Sequence, residues 1–283
     1  MSLRQSHFVP PVSYLLADEL GLLQGLEVVP TRTTSSAEQL RALLAGEQDV
    51  VVTAIDNLFE WTRAGADLRL VAQIEASTPL GIHAGPDAKS LADLAGCRFA
   101  VDAPDNGFAL IAKRLLWDAG VEVEFVVVGG VRERLDALLD GSADATLLGP
   151  PFDKLAEQAG FDPVVDVNSL LPELPGQGLV VRAEILESEE LQRYLGALVR
   201  GVEAGESMAD SEGIELLERR GYQAAASSAW GARARTLEVD PRGLQLLTEI
   251  RRSLNMLPPG SGLEVLCDAE PLRRATRSAT VGD

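Results

Sequence analysis

The sequence predicts an α/β protein of two lobes, with mostly parallel sheets, a two-segment hinge and a helical C-terminal tail. Three observations carry this. From the start to about residue 166, short runs of Val, Ile, Leu and Ala alternate with helical patterns closed by glycine, which is how parallel strands covered by helices are written. The alternation restarts near residue 79, giving two βα blocks. After an extended segment at 178–182 it stops, and Glu184 to Ala275 reads helical throughout, with breaks near Ser211, Gly221, Pro241 and Pro258-Pro259.

In the first block residues 2–7 read as a strand. Val12, Leu16, Leu20 and Leu23 share one face of a helix, and Leu26–Thr31 is a second strand. Ser35-Ser36-Ala37-Glu38 opens a helix as a capping box, and Gly46 ends it. The valine run Asp49–Ala54 is a strand covered on both faces. A helix follows at 57–64 and a strand at 68–74. The second block places strands at 79–84, 98–102, 123–128, 143–148 and 163–166, with helices at 90–95, 106–119, 131–139 and 151–159 between them. Trp61, Trp117 and Trp230 fall within helices and are expected to pack in cores. The chain leaves the first lobe near Leu80–Ala84 and returns near Gly178–Arg182, so lobe 1 is expected over 1–82 and 180–283, and lobe 2 over 83–179.

Composition excludes several classes of function. The formal charge is −18, with both signs scattered and no basic run, so phosphate backbones find no grip and nucleic acid is not an expected partner. The acidic residues of 184–219 alternate with Arg and read as a solvated helix face. Cys97 and Cys267 are the only cysteines and stand apart, which supports neither a disulfide framework nor a zinc site. With His7 and His83 alone, chemistry needing several imidazoles is excluded. No P-loop or dinucleotide fingerprint occurs, so no cofactor is expected. No stretch is apolar for long enough to span a bilayer. No leader pattern precedes Leu3; an extracytoplasmic location is expected if a leader has been removed, a cytoplasmic one if Met1 is the native start.

Four stretches, PPVSYLLADELGLLQGLEVV at 10–29, TSSAEQLRALLAGEQDVVVT at 34–53, KSLADLAGCRFAV at 89–101 and LDALLDGSADATLLGPPFDKLAEQAG at 135–160, occur in an order and spacing that resembles the solute-binding proteins of the SsuA/TauA/THI5-like (NMT1-like) family. The resemblance implies the type II periplasmic-binding-protein fold. It also implies a cleft for a small organic solute (a sulfonate, a carboxylate or a thiamine precursor) and delivery to an ABC permease. The same fold hosts enzymes of the thiamine-pyrimidine, desulfinase and menaquinone-pathway types, so a cytosolic enzyme acting on a small organic acid is the alternative. A desulfinase of this kind would need a nucleophilic cysteine in the first loop, where this chain reads Ser6-His7-Phe8-Val9-Pro10-Pro11.

Open α/β sheets bind ligands beyond the carboxyl ends of their strands. On that rule lobe 1 should offer His7, Phe8 and Val9 after its first strand, Ser35 and Ser36 at a helix start, Asp56 and Asn57 after the valine strand, and Glu75 and Ser77 near the hinge. Lobe 2 should offer Asn106, Gly107 and Phe108, then Gly129, then Gly149 and Pro150. Ser35-Ser36 presents free N–H groups suited to an acid group, although an N-cap explains Ser35 equally well. Asp56 and Glu75, if both face the cleft, favour a donor-rich or cationic group over a small inorganic anion. No residue is assigned a catalytic or metal-binding role.

Overall fold

A computed structural model describes residues 2–105, 107–257 and 262–281, and the side chains up to residue 278. Asn106 and the break expected at Pro258-Pro259 lie outside the described residues. The first block forms β1 (Ser2–His7), α1 (Val12–Glu19), β2 (Glu27–Arg32), α2 (Ser36–Leu44), β3 (Val50–Ala54), α3 (Asn57–Arg63) and β4 (Leu68–Gln73). The second forms β5 (Gly81–Ala84), β6 (Arg98–Val101), α4 (Ala109–Asp118), β7 (Glu124–Val127), α5 (Val131–Leu139), β8 (Ala145–Leu148), α6 (Phe152–Gln158), β9 (Pro163–Asp166) and the short α7 (Val167–Leu170). After β10 (Gln177–Arg182) the tail is helical, with α8 (Glu189–Ser207), α9 (Asp210–Leu217), α10 (Ala226–Gly231), α11 (Pro241–Ser253) and α12 (Glu270–Val281).

Two five-stranded sheets result, ordered β2-β1-β3-β10-β4 and β7-β6-β8-β5-β9. In each, the first three strands are parallel, and the fourth runs antiparallel to both neighbours. That fourth strand is the one by which the chain enters the lobe. Sequence reasoning places hinge segments at 80–84 and 178–182, but both are ladder strands inside their sheets. Gly81 and Ile82 therefore belong to the second sheet, and Gln177–Leu179 to the first. The crossings are the segments at 74–80 and 171–176, and they touch each other: Gly176 N–H donates to Ala76 C=O at 3.4 Å, and Ile74 N–H donates to the C=O of the adjoining Gln177 at 2.8 Å. Gly176 allows the approach, since a Cβ there would meet Glu75 Cβ at 2.5 Å.

The two lobes repeat one frame. Arg4, near the start of β1, binds Asp49 through its backbone N–H, Nε and Nη2; Arg98, at the start of β6, binds Asp144 through the same three groups. Gly46 and Gly141, both at positive φ, end the helices before those aspartates. One apolar core fills the space between the first sheet and α1, α8, α9, α10 and α12. A second runs from the other face of that sheet through α3 into β5, β6 and α4, and includes Leu244, Leu247 and Ile250 of α11, so a tail helix packs against both lobes. Trp61 and Trp230 are buried as expected, whereas Trp117 is 72% exposed on the outer face of α4.

Candidate functional site

Between the strand ends of the two sheets lies a cavity of about 100 Å³. At roughly 10–15 Å³ per water of such space, this suits a ligand of about seven to ten non-hydrogen atoms. Nine of the residues expected from the sequence line it: Phe8, Val9, Asn57, Glu75, Ser77, Gly107, Phe108, Gly149 and Pro150. Phe8, Val9 and Val12 from lobe 1 and Phe108 and Val131 from lobe 2 give an apolar body to the walls.

The lobes meet along the rim. Gly130 N–H donates to Thr34 C=O at 2.6 Å, Ser36 N–H donates to Asp102 Oδ2 at 3.0 Å, and Arg32 pairs with Glu133 at 2.5 Å. Gly130 is small of necessity, because a Cβ would sit 2.8 Å from the Phe8 ring. Deeper in, Gly107 N–H donates to Asp56 Oδ2 at 3.0 Å.

The other expected residues that the structure describes do other work. Asp56 is buried, and both its oxygens accept from Arg251 of α11, Nε at 2.8 Å and Nη2 at 2.7 Å. The same guanidinium also binds Glu60 Oε1 at 2.7 Å and the C=O of Asp105, which joins the tail to both lobes. Burial pushes the Asp56 carboxyl up, and Arg251 and the Gly107 N–H oppose that shift. Asp56 is thus spent on structure, and the argument it gave against small anions falls with it. Ser35 is an N-cap that accepts from Glu38 N–H at 3.1 Å. Ser36 is buried, with its N–H turned to Asp102. His7 is buried and does not line the cavity; its Nδ1 lies 3.2 Å from Gln5 Nε2, and burial lowers its pKa to about 4. Gly129, at φ 117°, shapes the turn against Thr34 and does not line the cavity. Asn106 lies outside the described residues.

Sequence reasoning missed Arg134, on the first turn of α5. It lines the cavity, its Nε is shut off from solvent, and its guanidinium has no hydrogen-bond partner among the described residues. Burial lowers its pKa to about 10, and Asp102 and Glu133 oppose this only through space. The residue is half-buried, so its charge is incompletely solvated, and an incoming anion supplies the missing partner. Glu75, half-buried, lines the same cavity. Its oxygens accept from Thr78 Oγ1 at 2.5 Å and from Gln177 Nε2 at 3.0 Å, with Gln177 N–H at 3.5 Å. Burial raises its pKa, partly offset by these donors, all of them neutral. Arg233, also missed, lines the cavity while its Nη groups bind Trp230 C=O, Gly205 C=O and Glu206.

Neither cysteine is near the cavity wall. Burial pushes the Cys267 thiol up to about 11, which leaves little thiolate at neutral pH.

A family model described as NMT1/THI5 like matches residues 12–206. No curated protein matches the sequence significantly. Among solved structures, the ligand-binding component of an ABC-type import system from Staphylococcus aureus, with zinc bound, superposes with a TM-score of 0.82 at 14% identity, covering 98% of this chain and 99% of that one. The alkanesulfonate-binding protein SsuA from Xanthomonas axonopodis pv. citri, bound to MOPS, gives 0.76 at 18% identity, covering 94% of this chain and 98% of that one. A cysteine-to-serine mutant of the desulfurization enzyme DszB, in complex with biphenyl-2-sulfinic acid, gives 0.65 at 18%, covering 98% and 99%. At these identities the likeness is one of fold.

Proposed function

Because the chain belongs to the NMT1/THI5-like family, we propose that it is a solute-binding receptor which closes around a small organic acid, a carboxylate or sulfonate, for delivery to an ABC permease outside the cytoplasm. The observation that carries this reading is Arg134, a half-buried guanidinium without a hydrogen-bond partner among the described residues, on the wall of a cavity between two lobes. The likeness to an alkanesulfonate-binding protein supports the same ligand class. The lobes, 2–73 with 177–281 and 81–170, turn on the paired crossings at 74–80 and 171–176. The acid group docks on Arg134 of lobe 2. The rim contacts Thr34–Gly130, Ser36–Asp102 and Arg32–Glu133 then form as lobe 1 closes over it.

The test is calorimetry and thermal unfolding with short alkanesulfonates and carboxylates. A bound ligand should raise the Tm, contract the protein in small-angle scattering and be recovered unchanged. No binding from either class would sink the receptor reading. Chemical turnover of a bound acid would transfer the chain to the enzyme class, against the absence of a thiol at the cavity wall.

A further inference from the structure

Four charged residues line the cavity: Asp102 accepts from Ser36 N–H and Arg233 pairs with Glu206, whereas Arg134 of lobe 2 and Glu75 of the first crossing, held to lobe 1 by Gln177, make no salt bridge among the described residues. Arg134 on lobe 2 has five N–H donors and no hydrogen-bonded acceptor among the described residues. Glu75, at the first crossing from lobe 1, takes two hydrogen bonds on Oε2, from Thr78 and the Gln177 N–H, and one on Oε1, from Gln177 Nε2. A carboxylate has about four acceptor sites, so one remains on Oε1. Arg233, whose backbone bridges that of Glu75, gives its Nη groups to Trp230 C=O, Gly205 C=O and Glu206, and no Lys or Arg forms a salt bridge with Glu75 among the described residues. Thr78 and Gln177, which hold the carboxylate, line the cavity with it.

Within the reading of the site as a receptor for a small acid, we infer that the ligand is zwitterionic: its acid group pairs with Arg134 and an ammonium or other protonated amine pairs with Glu75. A simple acid would satisfy Arg134 of lobe 2 and leave the half-buried Glu75 carboxylate, held by Thr78 and Gln177, without a counter-charge. An amine alone would do the reverse. A molecule carrying both compensates both walls and ties one lobe to the other, so that the preference for a zwitterion and the closure have the same origin. The apolar residues of the same lining, Phe8, Val9 and Phe108 among them, accept a short carbon chain.

The experiment compares, by calorimetry at pH 7, ω-amino alkanesulfonates and ω-amino carboxylates of two to six carbons with the same chains lacking the amine, on the wild-type protein and on Glu75→Gln. The expected result is that the best amino member binds at least about tenfold tighter than its unsubstituted counterpart. Glu75→Gln, which keeps the shape and the bonds to Thr78 and Gln177 within reach, should remove that preference while the simple acid still binds. Equal or tighter binding of the simple acids to the wild-type protein overturns the zwitterion and leaves the receptor for acids standing. Failure of both series to bind overturns both. An amino preference that survives Glu75→Gln with an unchanged ratio also overturns the assignment to Glu75. The wild-type comparison decides the ligand class even if the variant does not fold.

Discussion

The two lobes share a frame down to matched residues, yet they use equivalent positions in opposite ways. Aligned on Arg4–Asp49 and Arg98–Asp144, Gln39 on α2 corresponds to Arg134 on α5. Gln39 is buried and donates to Ser6 Oγ at 3.3 Å and to Val52 C=O at 3.0 Å, which closes its lobe on itself. In lobe 2 the residue matching Ser6 is Ala100, and Arg134 has no such partner. After the third strand, lobe 1 places Asp56, neutralised by Arg251, where lobe 2 places Pro151. One position of a repeated scaffold is therefore filled in lobe 1 by an amide that donates within its own lobe, and in lobe 2 by a guanidinium that no side chain of its lobe binds.

The comparison is broken most severely at Arg251. Removing it by Arg251→Met leaves Asp56 buried without its counter-charge, while Glu60 keeps its pairing with Arg63, and a buried pair broken on one side costs about 3–5 kcal/mol. Denaturant unfolding should show this loss. The double change Asp56→Leu with Arg251→Met should recover much of it, because no charge is then stranded. A loss below about 1 kcal/mol for the single change would mean that the tail does not hold the lobes as described. Ligand affinity of the folded variant should change much less than its stability.

At the matched pair Gln39 and Arg134 the effects should separate. Arg134→Ala should weaken acid binding about 100-fold or more, close to 3 kcal/mol, with stability unchanged or raised. Gln39→Ala should lower stability by about 1–2 kcal/mol, with affinity unchanged. Calorimetry beside denaturant curves reads both. Similar profiles for the two variants would dissolve the distinction between the lobes.

How much of this was legible follows from what each signal depends on. Strand and helix order could be read because apolar period and glycine stops are local, and the cavity could be located because strand ends are fixed by that order. Nine of its lining residues followed from the rule alone. Asp56 was misjudged because its partner, Arg251, lies far along the chain, and no local pattern announces a contact across that separation. Arg134 was passed over inside an amphipathic helix, where an arginine reads as solvated. The repeat of Leu-x-Ala-Leu-Leu-x-Gly-x-x-Asp at 40–49 and 135–144 would have aligned it with Gln39 and marked it as inward-facing. The crossings were displaced because β5 and β10 look like connectors in length, yet they find partners on both sides.

A third difference concerns pH. His7 at the end of β1 corresponds to Val101 at the end of β6. The folded pKa of His7 lies near 4 and the unfolded value near 6.5, so between these the unfolded chain holds the extra proton. Stability should therefore rise with pH across that window, and be lost as pH falls from about 6.5 to about 4, by on the order of 3 kcal/mol. His7→Gln should remove this part of the slope. A pH profile identical in the variant would show that burial of the imidazole does not contribute to it.

The smallest effect tests the helix starts. Ser35 caps α2 through Glu38 N–H, while its counterpart Gly130 opens α5 without a side chain, against Phe8. Ser35→Ala should cost about 1 kcal/mol of stability, the usual loss of a serine cap. Affinity should stay constant, because Ser35 does not line the cavity and the Ser36 N–H is already given to Asp102. If Ser35→Ala instead lowered affinity tenfold with stability intact, the acid group would be seated on the α2 start, and lobe 1 would then be the anion-binding half of the molecule.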